Sequence, residues 1–164
     1  MTKDSYIRLT GVIRSHPGRI RFVTVLNRMI TGLSYLVYPL FLLALLLTGH
    51  PFLVRAVLVP AVSFLGVSLF RNILNAPRPY EKFDLPPVLK KDTPGKSFPS
   101  RHVFSAFVIA MTVLYLCTAA GCVLLACGAV LAVIRVVGGV HEPRDVIAGA
   151  LLGIACGIFG YYWI

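Results

Sequence analysis

His141 is followed four residues later by Asp145. On a helix that spacing puts both side chains on one face, where a carboxylate orients and polarises an imidazole. The pair is a nucleophile or base with its orienter. Arg135, six residues before the histidine, stands at the inner end of a segment otherwise free of charge, and a cation there is costly unless it meets a partner or an anion. Two more clusters precede it. Arg71 is followed, after six intervening residues, by Arg78-Pro79, and further on comes Ser97-Phe98-Pro99-Ser100-Arg101-His102. Two arginines offer forked donors to a phosphate's oxygens. Ser100 is placed as a helix N-cap, leaving the amides of a helix start to face an anion.

Taken singly, each cluster has a plain structural reading: a satisfied helix-end histidine, a basic patch flanking a membrane helix, a serine cap. Together they hold three arginines, a hydroxyl, helix-start amides and two histidines, one of them with a carboxylate partner. That set suits phosphoryl transfer: cationic clamps, a nucleophile, and an acid for the leaving oxygen. No carboxylate cluster fit for a magnesium pair stands out, so neither a metal nor another cofactor is expected.

The elements that must position these residues are membrane helices. Of the 164 residues 57% are hydrophobic and only 13% charged, and the apolar residues come in blocks without polar faces, the pattern of an integral membrane protein. The net charge of +10 is confined to stretches between the blocks, which fits membrane-flanking loops and anionic substrates rather than nucleic acid. Cys117, Cys122, Cys127 and Cys156 all fall in apolar runs and read as buried small hydrophobes.

The length fits one membrane-embedded domain over residues 1–164. It opens with a basic segment, 1–28, in which Tyr6, Leu9 and Ile13 at helical spacing predict an amphipathic surface helix over 4–15, ended by Pro17-Gly18. A disordered basic tail is the alternative. Spans are expected near 29–48, with Pro39 kinking it, and 52–70, joined by Gly49-His50-Pro51. Six prolines in residues 71–102 exclude a long helix and mark an active-site loop; its lysines are interleaved with Glu81, Asp84 and Asp92. The uncharged run from Val103 to Ile134 is too long for one helix and predicts a hairpin, 101–118 and 121–140, breaking at Ala119-Ala120-Gly121. Pro143 suits a first helical position, and the last span runs from 146 to 164. The predicted class is thus an all-α polytopic bundle of about five spans plus an N-terminal interfacial helix. Gly149, Gly153 and Gly157 form a stripe that lets another helix approach, either inside the bundle or between two copies in a homo-oligomer. Because a two-crossing hairpin separates the 71–102 loop from the 135–145 turn, both emerge on one side of the membrane.

Arg71 with Arg78-Pro79, Pro99-Ser100-Arg101-His102, and Arg135 with His141 and Asp145 resemble, in order, the three signature motifs of the type 2 phosphatidic acid phosphatase superfamily. These are membrane lipid phosphatases related in active site to vanadium haloperoxidases. The resemblance covers residues 71–145. It implies His141 as the nucleophile forming a phosphohistidine, Asp145 as its orienter and His102 as the acid. Arg71, Arg78, Ser100 and Arg135 would bind the phosphate, with the Arg101 amide assisting. Three positions depart from the family pattern. Arg71 replaces a common lysine, Arg101 stands where glycine is common, and Ile134 replaces a serine and removes a hydroxyl. The resemblance implies a lipid phosphate as substrate, the bilayer as partner, and a multi-pass place in a bacterial plasma membrane. A non-catalytic scaffold or transporter subunit that binds anionic lipid is the competing reading, and it has no use for His102 or for His141 with Asp145.

Overall fold

A computed structural model describes residues 1–91 and 93–163. Asp92 and Ile164, the expected end of the last span, lie outside the described residues. The chain is a bundle of helices in which α5 (Arg101–Leu116) is central and packs chiefly on α6 (Thr118–Val137) and α7 (Pro143–Ile158), with α2 (Pro17–Leu47) and α3 (Leu53–Leu74) outside. A π-helical turn, Phe159–Trp163, prolongs α7. Among the described residues four helical stretches are long and apolar enough to cross a membrane, and α5, at 16 residues, is a shorter fifth. It is short because it begins inside the protein, at a Ser100 with no exposed surface, yet nine of its residues are buried. The outer helices turn residues such as Leu36, Leu65 and Ile73 outward, which in a bilayer is contact with lipid.

Helix α1 (Lys3–Arg14) forms where the amphipathic pattern predicts it, so the tail is not disordered. Thr2 caps it, accepting from the Ser5 amide at 3.2 Å. Its inward face differs from the expected one: Tyr6 and Thr10 are buried, whereas Leu9 stays at the surface. The Tyr6 hydroxyl donates toward the carbonyls of Leu85, Pro86 and Gly139 at 3.3 to 3.4 Å, which ties α1 over the loops on either side of the predicted site. α1 ends at Arg14, ahead of Pro17-Gly18 as expected, but the pair also starts α2, because proline at the first helical position loses no hydrogen bond. Arg19, Arg21 and Arg28 therefore ride on α2, whose 31 residues reach roughly 46 Å at 1.5 Å each. That exceeds the hydrocarbon thickness of about 30 Å, so one end projects from the bilayer.

The hairpin breaks at Cys117, where the backbone is extended, and not at 119–121. Gly121 instead sits at a helix crossing. A Cβ there would stand 2.3 Å from the Leu114 Cα, so glycine lets α6 cross α5. The stripe on α7 is likewise used inside the chain. A Cβ at Gly149 would meet the Ser100 carbonyl at 2.6 Å, one at Gly153 the Phe104 carbonyl at 2.8 Å, and one at Gly157 the Met111 side chain at 2.4 Å. Cys117 and Cys122 are exposed and not buried as expected, since they fall on outward-facing positions; all four thiols are free. At the far end Arg55 donates to the Gly160 carbonyl at 2.9 Å, a partner that sequence spacing does not disclose.

Candidate active site

Five helix ends meet at one face: the starts of α2, α5 and α7 and the ends of α3 and α6. Between α3 and α5 the chain runs through a loop carrying one short helix, α4 (Pro79–Phe83). The loop is held by arginines. The Arg71 guanidinium donates to the carbonyls of Lys96, Ser97 (3.2 Å) and Pro99. Arg78 donates through Nε to Gly95 at 3.0 Å and through Nη1 to Val140 at 3.1 Å. Glu81 accepts from the Gly95 amide at 2.8 Å. Both arginines thus use several donors on the backbone, a role that the sequence reading of them as phosphate donors did not include.

These bonds draw the three sequence clusters together. Arg78 reaches the residue before His141, the Ser100 amide donates to the Asp145 carbonyl at 2.8 Å, and the Ser97 hydroxyl donates to Asp145 Oδ2 at 2.5 Å. The same Oδ2 accepts from the Glu142 amide at 3.0 Å and faces His141 Nδ1 at 3.4 Å. With Nδ1 turned to the carboxylate, Nε2 is the ring nitrogen left for chemistry. His141 has 1% of its surface exposed. Burial pushes its pKa down to about 4, against the opposing pull of the Asp145 hydrogen bond, so the ring is neutral at pH 7.

Arg71, Arg78 and Arg135 are all buried, at 6%, 5% and 5% exposure. Arg135 feels the charges of the other two. It donates to Asn27 Oδ1 at 3.3 Å, while its Nε is buried without a partner. Ser100 does not cap α5 through its side chain as the sequence suggests; its Oγ is fully buried and unpartnered. Arg71 and Arg78 feel the Asp145 charge, and Arg78 that of Glu81 as well, whereas the Arg135 Nε and the Ser100 hydroxyl stay buried without a partner, a desolvation cost that a bound anion would offset. His102, in the first turn of α5, lies within electrostatic reach of His141 and Arg135. Arg101 beside it is exposed, its guanidinium over the Phe64 ring at 5.4 Å. All eight residues singled out in the sequence thus belong to one end of the bundle. Among the described residues no three His, Cys, Asp or Glu side chains group as a metal site.

Sequence reasoning missed four participants. Ser97 stood inside the second cluster but carried no assigned role, and no local signal links it to Asp145, 48 residues away. Asn27 was read as part of a basic tail, and no local signal links it to Arg135, 108 residues away. Lys91 lies beside Arg135 in a cavity of about 250 Å³; burial, then the charges of Arg78 and Arg135, push its pKa down. Glu142 is buried and pairs with Lys82 at 3.3 Å and Arg144 at 3.1 Å, holding the turn from behind.

No curated protein matches the chain. Among solved structures it is similar to Aquifex aeolicus LpxE, at 26% identity and a TM-score of 0.76, with 96% of this chain and 92% of that chain covered. It shares its fold with a PAP2-type phosphatidylglycerolphosphate phosphatase from Bacillus subtilis, at 21% identity and a TM-score of 0.54, with 96% and 91% covered. The model of the PAP2 superfamily matches residues 52–164, which include every residue of the cluster except Asn27. Over that stretch, well beyond half its length, the chain belongs to the PAP2 superfamily.

Proposed function

We propose that this membrane lipid phosphatase hydrolyses a phosphomonoester or diphosphate of a lipid through a phosphohistidine, without a metal. Phosphatidate, phosphatidylglycerophosphate and polyprenyl phosphates or diphosphates are the candidate substrates, and a bacterial plasma membrane is the proposed setting. The observation that carries the reading is the buried His141–Asp145 pair, bonded to Ser97 and sharing its end of the bundle with three buried arginines and the unpartnered Ser100 hydroxyl.

In this mechanism the lipid's phosphate enters the arginine cluster. Arg135 Nε and Ser100 Oγ gain the partner they lack, with the Arg101 amide and the remaining donors of Arg71 and Arg78 completing the cradle. The neutral His141 attacks phosphorus through Nε2, the bond from phosphorus to the lipid oxygen breaks, and His102 gives that oxygen its proton. Water then attacks the phosphohistidine and returns a proton to His102. Inorganic phosphate leaves and both histidines are restored. Asp145 keeps Nδ1 fixed and stabilises the positive charge that develops on the ring.

Phosphate release from detergent-solubilised protein, across that lipid panel, is the test. Wild type releases phosphate in the presence of chelator and is inhibited by vanadate, and His141→Ala is inactive while keeping its thermal unfolding midpoint. Near-normal turnover by a folded His141→Ala, or strict dependence on added magnesium, overturns the mechanism. A scaffold that only binds anionic lipid would release phosphate in neither form.

A further inference from the structure

Beside His102 a cavity of about 140 Å³ opens between α2, α3, α5 and α6. One water needs roughly 10–15 Å³ by this kind of measure, so the space admits a group of several heavy atoms. Its walls carry several polar side chains although the helices around it are apolar. Arg101, Thr31, Ser34 and Ser105 line it together with Phe64 and His102. The Thr31 hydroxyl is buried and has no partner. Arg101 has the Phe64 ring under it, and among the described residues no Asp or Glu lines the cavity. Through Phe64, Ser105 and Ile109 the cavity continues into an apolar groove of about 350 Å³, walled by Tyr38, Leu42, Val57 and Pro60 among others.

In-line transfer puts the nucleophile and the leaving oxygen on opposite sides of phosphorus. If His141 attacks, the leaving oxygen lies on the His102 side, and the first atoms of the leaving group occupy this polar cavity while its chain follows the groove. A diacylglycerol offers a guanidinium there only neutral ester carbonyls, weaker acceptors than phosphate oxygens. A leaving group with its own phosphate fits: its oxygens meet the forked donors of Arg101 and the Thr31 hydroxyl. Resting on the function proposed above, we infer that Arg101 and Thr31 form a second anion subsite, which selects lipids whose leaving group retains a phosphate after the terminal one is removed. A lipid diphosphate and a lipid-linked glycerophosphate share that chemistry and differ in the spacing of the two phosphorus atoms.

The test compares kcat/KM for phosphate release by the full chain in detergent on phosphatidate, phosphatidylglycerophosphate and a polyprenyl diphosphate. The expected result is a wild-type preference for at least one of the two doubly phosphorylated lipids. Arg101→Gln cuts that preference at least tenfold, Thr31→Val cuts it severalfold, and Arg101→Lys falls between wild type and Arg101→Gln because it keeps the charge and loses the fork. Both substrates are measured on one preparation, so an inactive fraction cancels from the ratio. A drop confined to one of the two lipids identifies the spacing that fits. A ratio that moves less than twofold in both Arg101→Gln and Thr31→Val overturns the subsite and leaves the phosphatase reading standing. No release from any of the three lipids by wild type overturns both.

Discussion

Ser97→Ala removes one hydroxyl from the centre of the site and leaves the loop otherwise braced. The backbone at Ser97 is held independently, its amide donating to Ala76 at 2.9 Å and its carbonyl accepting from Arg71 at 3.2 Å, so the substitution should not unfold the loop. What it takes away is the shortest bond to Asp145 Oδ2, at 2.5 Å, leaving the Glu142 amide at 3.0 Å and the His141 ring at 3.4 Å. The other oxygen, Oδ1, has no hydrogen bond of its own. A hydrogen bond to a charged group contributes about 1.5–3 kcal/mol, and each 1.4 kcal/mol is about tenfold in rate. If the whole of it is felt in the transition state, kcat/KM falls by roughly 10- to 150-fold. The loss should sit in kcat, because the hydroxyl points at the carboxylate and not at the lipid. There is a second signature. A carboxylate with fewer donors holds the imidazolium more strongly, so the acid limb of the pH–rate profile moves to higher pH. The assay is initial-rate phosphate release in detergent from about pH 3 to 9, a range that runs from below the folded His141 value of about 4 to above the ordinary histidine value, with the unfolding midpoint measured on the same preparations. A kcat/KM within twofold of wild type would refute the positioning role of Ser97. So would an unshifted acid limb accompanying a large loss of rate.

The pH response of stability follows from His141. Its folded pKa, about 4, lies below the ordinary histidine value of 6.5, so between those values the unfolded chain binds the proton that the folded chain refuses. Stability contributed by this group is full above 6.5 and is lost as pH falls toward 4, with no further loss below; the unfolding midpoint in detergent should drop across that window, and His141→Gln should flatten the drop. The glycine contacts predict a contrast between two substitutions of the same kind. Gly153→Ala drives a methyl to 2.8 Å from the Phe104 carbonyl and should destabilise by about 1–3 kcal/mol, whereas Gly32→Ala, with nothing within 4 Å, should leave the unfolding midpoint unchanged or raised. Equal effects at the two positions would show that α7 does not pack on α5 as described.

The membrane class was legible because it depends on segment composition. Apolar runs of about 20 residues can satisfy their backbone in lipid only as helices, and that requirement is local. The one-sidedness of the three clusters also came from counting, since a hairpin returns the chain to the face it left. Boundaries were harder to read. Pro17-Gly18 signals a break or a first turn equally well, and here it serves as both: α1 stops at Arg14, tied through Tyr6 to residues 85, 86 and 139, and α2 begins at Pro17. The weak break at 119–121 lost to Cys117 because Gly121 is needed where two helices touch.

His141, Asp145 and the arginines were visible in the sequence because their chemistry is costly in an apolar chain and their spacing is local: four residues apart on one face is a statement about a single helix turn. Ser97, Asn27 and Glu142 were not, since nothing in a serine, an asparagine or a glutamate says which distant group it will meet. Ser97 acts only because Arg71, 26 residues earlier, pins its carbonyl while Asp145, 48 residues later, receives its hydroxyl. Asn27 matters only because α2 runs past the end of α6. Residue type and local spacing singled out the groups whose chemistry suits a phosphate, and counting crossings put them at one end of the bundle. The tertiary structure decided which of them are braced by backbone carbonyls and which are left buried and unpaired. That division depends on contacts between segments far apart in the chain, whose geometry exists only once the helices have packed.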